Sequence, residues 1–120
     1  MVARQLREAA EKAIVLLKND GPVLPLSAEL GAIAIVGPDA AEARMGGYSA
    51  SPARSCSVLE GISERVGART EVYHAVGCGR SPSESDEAAI REAVALAARC
   101  EAVVAVVGIE EGEFRDRASL

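Results

Sequence analysis

Two short, unbroken apolar runs constrain the fold of this chain more than any other feature of its sequence. They are Ala32–Val36 and Val103–Val107, and both are rich in β-branched residues. Runs of this length and composition are typical of strands that are buried on both faces of a sheet. A third segment, Thr70–Ala75, alternates polar and apolar residues. It predicts another strand, nearer the edge of the same sheet.

Two helical patterns lie in the first half of the chain. Residues 3–19 carry apolar side chains at helical spacing, and Gly21 and Pro22 follow as a typical helix stop. Asp39 comes directly after the first strand and Gly37-Pro38, so we expect it to cap a short helix that runs through Arg44.

Two further helices are predicted in the second half of the chain. Val58–Val66 has an apolar face and is followed by Gly67, a typical C-terminal cap. The next helix is expected to start at a cap formed by Ser83 or Ser85, with acidic residues in its first turn. Its predicted buried stripe consists of Ile90, Val94, Ala97 and Cys100.

The alternation of helices and strands predicts an α/β fold: a three-layer α/β/α sandwich built on a mostly parallel sheet. With only three strong strands, the sheet is expected to be truncated. A length of 120 residues indicates one domain, which we interpret as a single partial domain over residues 1–120.

Composition excludes several classes of function. The net charge is −5 and the basic residues are scattered, which argues against nucleic-acid binding. No apolar run approaches the roughly 20 residues of a membrane-spanning helix, and no signal peptide is visible. Aromatic residues make up only 2% of the chain, so the core must be aliphatic.

Cofactor motifs are also missing from the sequence. His74 is the single histidine, and Cys56, Cys78 and Cys100 have no metal-ligand spacing. We expect His74 to be structural and Cys100 to be a core residue. A disulfide between Cys56 and Cys78 is conceivable, but nothing in the sequence supports it. Neither a dinucleotide-binding glycine pattern nor a phosphate-binding loop nor a nucleophilic serine elbow occurs. The sequence predicts no metal and no cofactor.

The segment after the last strand is crowded with charge. Its charged residues are Glu110, Glu111, Glu113, Arg115, Asp116 and Arg117. The carboxyl ends of the strands are where α/β sheets usually carry their chemistry. The alternating Asp residues of a calcium loop are absent, which favours proton transfer over metal binding. Partial burial beside Phe114 and neighbouring acids would raise the pKa of Glu113, whereas Arg115 would lower it. A solvated acidic turn is the alternative.

Seven segments, in this order, together resemble the second, α/β-sandwich domain of glycoside hydrolase family 3, the β-glucosidases and β-xylosidases. The segments are Ala9–Asp20, Leu24–Leu26, Ile33–Ala40, Gly46–Ser49, Leu59–Ile62, Gly77-Cys78, and Val106–Gly108 with Glu111–Arg117. The resemblance implies that the chain is part of a retaining, exo-acting β-glycosidase that acts on oligosaccharides or on aryl and alkyl β-glycosides. Its nucleophilic aspartate is expected on a preceding β/α barrel domain that this chain does not contain, so the chain alone is expected to be inactive.

The resemblance also implies roles for individual residues. The general acid/base is expected in the acidic segment, with Glu113 as the first choice and Glu111 as the second. Asp116 and Arg117 are expected to brace that loop. Gly46, Gly47 and Tyr48 either border the sugar pocket or form a tight turn with a packed tyrosine.

Two interpretations without catalysis stay open. One is a Rossmann-like module that binds a small sugar or nucleotide at the strand ends. The other is a structural sandwich whose acids are merely solvated.

Overall fold

The computed structural model describes residues 2–21, 23–50, 55–80, 86–108 and 112–114. Helices and strands alternate along the chain, and the α/β class predicted from the sequence is confirmed. The elements are α1 (Val2–Ala13), β1 (Ala32–Val36), α2 (Val58–Val66), a one-turn 3₁₀ helix (Gly67–Arg69), β2 (Glu71–Ala75), α3 (Glu87–Ala97) and β3 (Ala102–Ala105).

The three strands form one parallel sheet in the order β2-β1-β3. Ile35 of β1 is paired with His74 of β2 on one side and with Val104 of β3 on the other. Because β1 is the central strand, it supplies the core, and Ile33, Ala34 and Ile35 are buried. The strand predicted at residues 32–36 is confirmed, as is the edge position expected for β2.

The third strand differs from its prediction. It spans Ala102–Ala105 rather than residues 103–107, and half-buried and exposed residues alternate along it. Val103 is 47% exposed. The prediction of a strand buried on both faces is wrong, because every second residue of β3 is exposed and one face of the strand is therefore open.

The helices α2 and α3 flank opposite faces of the sheet. Ile62 of α2 lines a pocket together with Ile33, whereas Val94 of α3 lines a groove together with Val36. Residues 33 and 36 of a strand point to opposite faces, so the arrangement has three layers. The groove is open, and it leaves Ile90 and Val94 exposed instead of buried as predicted, because the described residues place only three strands in the sheet beneath α3.

Helix α2 has the predicted bounds. Its N-cap, Ser57, forms a capping box with Glu60: each side chain accepts a hydrogen bond from the other residue's backbone N–H, at 3.1 Å and 2.7 Å. Gly67 ends the helix with a φ of +66°, as expected of a glycine cap.

Two other helix predictions need correction. Helix α1 ends at Ala13, and the segment from Ile14 to Leu17 is non-helical and exposed. Two consecutive β-branched residues weaken the helix there, and no packed face compensates. Helix α3 is capped by Asp86, whose carboxylate accepts backbone N–H bonds at 2.8 and 3.3 Å. The prediction of Ser83 or Ser85 as that cap is therefore wrong. No helix in the described part of the chain is both long enough and apolar enough to cross a membrane.

Candidate functional site

The carboxyl ends of the three strands are held together by backbone hydrogen bonds. The N–H of Gly37 donates to the carbonyl of Ala75 at 3.1 Å, and the N–H of Val106 donates to the carbonyl of Val36 at 2.7 Å. The segments that follow the three strands therefore start from one edge of the sheet. This edge is where an α/β fold usually places its ligands.

A cluster of charged side chains lies at this edge. Oδ1 of Asp39 accepts a hydrogen bond from Nε of Arg80 at 3.0 Å and one from Arg44 at 3.3 Å. Arg80 also donates to the carbonyl of Pro38 at 3.1 Å and to the carboxylate of Glu42. The pKa of Arg80 is raised above its usual value, chiefly by the hydrogen bond to Asp39. We call Asp39, Glu42, Arg44 and Arg80 the charged cluster.

The prediction of a short helix from Asp39 through Arg44 is wrong, because the structure has no helix at these residues. The carboxylate of Asp39 would have capped that helix. Instead it binds guanidinium groups, one of which belongs to a residue 41 positions away. Hydrogen bonds between a guanidinium and a carboxylate, in which donor and acceptor are both charged, are among the strong hydrogen bonds of proteins.

A small pocket of about 70 Å³ lies beside the charged cluster. Its lining includes Asp39, Cys78 and Arg80 together with Val107 and Gly108, where the chain leaves β3. A β-carbon on Gly108 would lie 3.5 Å from Oδ2 of Asp39. The segment that leads to the acidic residues therefore starts at the pocket that the charged cluster lines.

The structure describes only one of the four residues predicted in the acidic loop. Glu113 is exposed, and its neighbour Phe114 is 97% exposed with a φ of +62°. The partial burial beside Phe114 that was expected from the sequence is not present in this chain. The predicted Glu111, Asp116 and Arg117 lie outside the described residues.

The predicted Gly46-Gly47-Tyr48 segment forms a turn. The N–H of Ser49 donates to the carbonyl of Gly46 at 2.8 Å, and both glycines have room around them for a β-carbon. Tyr48 is 90% exposed. The turn is present, but the packed tyrosine of the structural alternative is not.

The profile of the glycosyl hydrolase family 3 C-terminal domain matches residues 14–120. The chain belongs to this family. The match covers both the charged cluster at the carboxyl edge of the sheet and the acidic segment after β3.

Curated relatives of this family 3 domain include glycosidases. It is 38% identical to a beta-xylosidase from Formosa agariphila, over 94% of this chain and 17% of that protein. It is 34% identical to a periplasmic beta-glucosidase from Salmonella typhimurium, over 97% of this chain and 18% of that protein. The chain thus spans less than a fifth of the length of these two relatives.

A solved structure has the same fold. The crystal structure of a GH3 beta-glucosidase from Bifidobacterium adolescentis superposes with a TM-score of 0.83 at 30% identity, covering 98% of this chain and 18% of that protein. The family predicted from the resemblance is confirmed.

Sequence reasoning missed the pairing of Arg80 with Asp39 in this family 3 domain. Gly37-Pro38-Asp39 was part of the resemblance, but Arg80 was not. One signal could have found it: both residues follow parallel strands closely, and such exits converge at one edge of a sheet.

The histidine and the three cysteines were also considered for chemistry. Nδ1 of His74 donates to the carbonyl of Ile35 at 2.8 Å inside the sheet, which is a structural contact. Cys56, Cys78 and Cys100 are free thiols. The described residues contain no group of three or more side chains that could hold a metal ion.

Proposed function

We propose that this family 3 domain is part of a retaining, exo-acting β-glycosidase, to which it contributes the loop that carries the general acid/base. The observation that carries the proposal is the position of Gly108. It leaves the sheet at the carboxyl edge beside the charged cluster, and the acidic segment follows it within two residues.

The reaction is a double displacement. A protonated glutamic acid of the loop gives its proton to the glycosidic oxygen, while a carboxylate on the barrel domain attacks the anomeric carbon. The two carboxyl groups of a retaining enzyme lie about 5–5.5 Å from each other. The C–O bond to the leaving group breaks as the glycosyl-enzyme ester forms. The same glutamate, now ionised, takes a proton from water as that water hydrolyses the ester, which restores both carboxyl groups.

Glu113 is our first choice for the acid/base and Glu111 is the second. Glu113 is exposed on this chain, so it is accessible to a substrate bound on a neighbouring domain. The positive φ of Phe114 supports a functional role for this tip, because a bulky side chain in that region of φ is strained, and such strain is concentrated at functional sites. Asp116 and Arg117 are proposed to brace the loop.

The Gly46–Tyr48 turn is proposed to border the sugar pocket. Tyr48 presents nearly its whole ring to solvent, and an exposed aromatic face can stack on a sugar ring. The substrate class is an oligosaccharide or an aryl or alkyl β-glycoside.

The cavities at the carboxyl edge argue against a self-contained module that binds a sugar or a nucleotide. A groove of about 390 Å³ at the strand ends is open and lined by apolar residues such as Val36, Val76 and Val107, so it lacks the polar groups that would orient such a ligand. The pocket beside the charged cluster encloses only about 70 Å³. Pockets that hold small molecules usually measure about 300–1,000 Å³. A site completed by another domain fits this edge better.

The proposal is tested by Glu113→Gln and Glu111→Gln in the full-length glycosidase. Loss of the acid should lower kcat/KM by about 100-fold or more for alkyl glycosides, whose leaving group needs a proton. Dinitrophenyl glycosides, whose leaving group needs none, should be cleaved with a much smaller loss of kcat/KM. Azide should accelerate their turnover by replacing water at the second step.

The matched control is Glu64→Gln, which neutralises an exposed carboxylate on α2. We expect it to leave kcat/KM unchanged for both substrate classes. If neither loop variant shows a loss that depends on the leaving group, the acid/base assignment is wrong.

A further inference from the structure

The charged cluster joins two strand exits that are far apart in sequence. Arg80 follows β2 and Asp39 follows β1, and their side chains meet at 3.0 Å. The guanidinium also reaches the carbonyl of Pro38 at 3.1 Å. Arg80 therefore clamps the post-β1 segment through both a side chain and the backbone.

The two carboxylate oxygens of Asp39 face different neighbours. Oδ1 accepts the hydrogen bonds from Arg80 and Arg44, while Oδ2 lies on the side of Gly108 where a side chain would be, 3.5 Å from the place of a β-carbon. The Asp39 side chain is only 18% exposed, so it is held between these neighbours rather than in free solvent. Movement of this carboxylate would change the surface on which Gly108 rests.

We propose that Arg80 and Asp39 are a positioning pair that sets the direction in which the acid-bearing loop leaves β3. The inference rests on the proposed function of that loop. Arg80 fixes the rotamer of Asp39, and Asp39 in turn limits where Gly108 can lie. Neither residue is proposed to touch the substrate.

Arg44 makes a useful comparison because it binds the same oxygen. It lies five residues from Asp39 within the same post-β1 segment, so its bond at 3.3 Å is local. Arg80 lies 41 residues from Asp39 and so ties one strand exit to another. Removing Arg80 should therefore disturb the loop more than removing Arg44, although each change deletes one positive charge.

The test is Arg80→Gln in the full-length glycosidase, assayed with alkyl and dinitrophenyl glycosides. A misplacement of about 1 Å can cost about 100-fold in rate, so we expect kcat/KM for alkyl glycosides to fall about 10- to 100-fold. The value for dinitrophenyl glycosides should change much less, because the acid is not needed there. The loss should appear mainly in kcat, since substrate binding is left intact.

Three further variants sharpen the result. Arg80→Lys keeps the charge but loses the forked donor geometry, and it should restore part of the lost rate. Arg44→Gln should show a smaller loss of the same kind. Arg91→Gln removes an exposed arginine that pairs with Glu87 on α3, and it should leave kcat/KM unchanged for both substrate classes.

Two outcomes would overturn the inference. One is an equal loss for both substrate classes that follows a fall in Tm, which would show a purely structural role. The other is no loss at all. If Arg80→Gln does not fold, Arg80→Lys replaces it. The ratio of its kcat/KM values for alkyl and dinitrophenyl glycosides then decides between the same outcomes.

The same substrates separate this inference from the proposed function. If Glu113→Gln and Glu111→Gln both lack the dependence on the leaving group, the loop does not carry the acid and the proposed function fails. If one of them shows it and the Arg80 variants do not, only the positioning pair is wrong.

Discussion

Gly37 lies so close to Val106 that a β-carbon at position 37 would be 2.0 Å from the carbonyl oxygen of residue 106. The backbone of Gly37 has a φ of +126°, a conformation that L side chains rarely adopt. At the same point, its N–H donates to Ala75 of the neighbouring strand. The exits of all three strands thus meet around a residue that has no side chain, which gives the edge its shape.

Gly37→Ala should therefore destabilise the domain strongly. Backbone strain and the overlap with Val106 each cost about 1–3 kcal/mol, so we expect a loss of about 2–6 kcal/mol in the free energy of unfolding. Urea denaturation monitored by circular dichroism measures it. Gly61→Ala is the matched control: it lies within α2, where a β-carbon would meet Sγ of Cys56 at an ordinary 3.6 Å. It should stabilise the domain by about 0.5–1 kcal/mol. A loss below 1 kcal/mol for Gly37→Ala would contradict the close approach.

The capping box of α2 predicts a second stability effect. Ser57 is buried, and its hydroxyl accepts the N–H of Glu60 at 3.1 Å. Ser57→Ala should cost about 1–2 kcal/mol of unfolding free energy, because the N–H loses its acceptor. Ser57→Thr, which keeps the hydroxyl, should cost less. Ser27→Ala serves as a control on an exposed turn, where the hydroxyl accepts the N–H of Glu29. Equal midpoints for Ser57→Ala and Ser27→Ala in urea would refute the prediction.

Tyr73 should ionise at higher pH than an ordinary tyrosine. Its pKa is raised chiefly because its hydroxyl donates to the carboxylate of Glu71, whose negative charge also disfavours the phenolate. Arg99, 5.2 Å from the ring centroid, acts in the opposite direction. The hydrogen bond is present below the raised pKa and is lost as the pH rises through it. Glu71→Gln should therefore lower the ionisation midpoint.

Ultraviolet absorbance measures that midpoint in a Tyr48→Phe background, where Tyr73 is the sole tyrosine. Glu87→Gln, on the exposed end of α3, is the control and should leave the midpoint in place. If Glu71→Gln leaves the ionisation midpoint of Tyr73 unchanged, the carboxylate of Glu71 does not raise the pKa of that tyrosine.

Local signals in the sequence were sufficient where the structure is decided locally. Helix α2 has the predicted bounds because its cap, apolar face and terminal glycine all lie within eleven consecutive residues, 57–67. Strand β1 was found because a central strand is apolar on both faces. Helix α1 was predicted too long, since periodicity alone does not show whether a packing partner is present.

Pairing between distant residues was out of reach for the same reasoning. Asp39 follows a strand and a Gly-Pro pair, a pattern that indicates a helix cap, yet its partner is Arg80, 41 residues away. The apolar run that contains β3 resembles a central strand, but whether a strand lies beside it is not encoded within the run. The family resemblance supplied the acidic residues, whereas the charged cluster next to them emerged only from the convergence of strand exits.

The 120-residue chain alone should not hydrolyse glycosides. A retaining mechanism needs two carboxyl groups about 5–5.5 Å apart on opposite sides of the anomeric carbon. The proposed function assigns only the acid/base to this chain, in which Glu113 is exposed, and places the nucleophile on the barrel domain. Incubation of the purified chain with nitrophenyl β-glucosides and β-xylosides, followed by absorbance, should give the rate of the buffer. The Glu113→Gln chain, purified in the same way, controls for contaminating glycosidases. Turnover that rises with chain concentration and is lost in that variant would mean that both carboxyl groups lie within these residues.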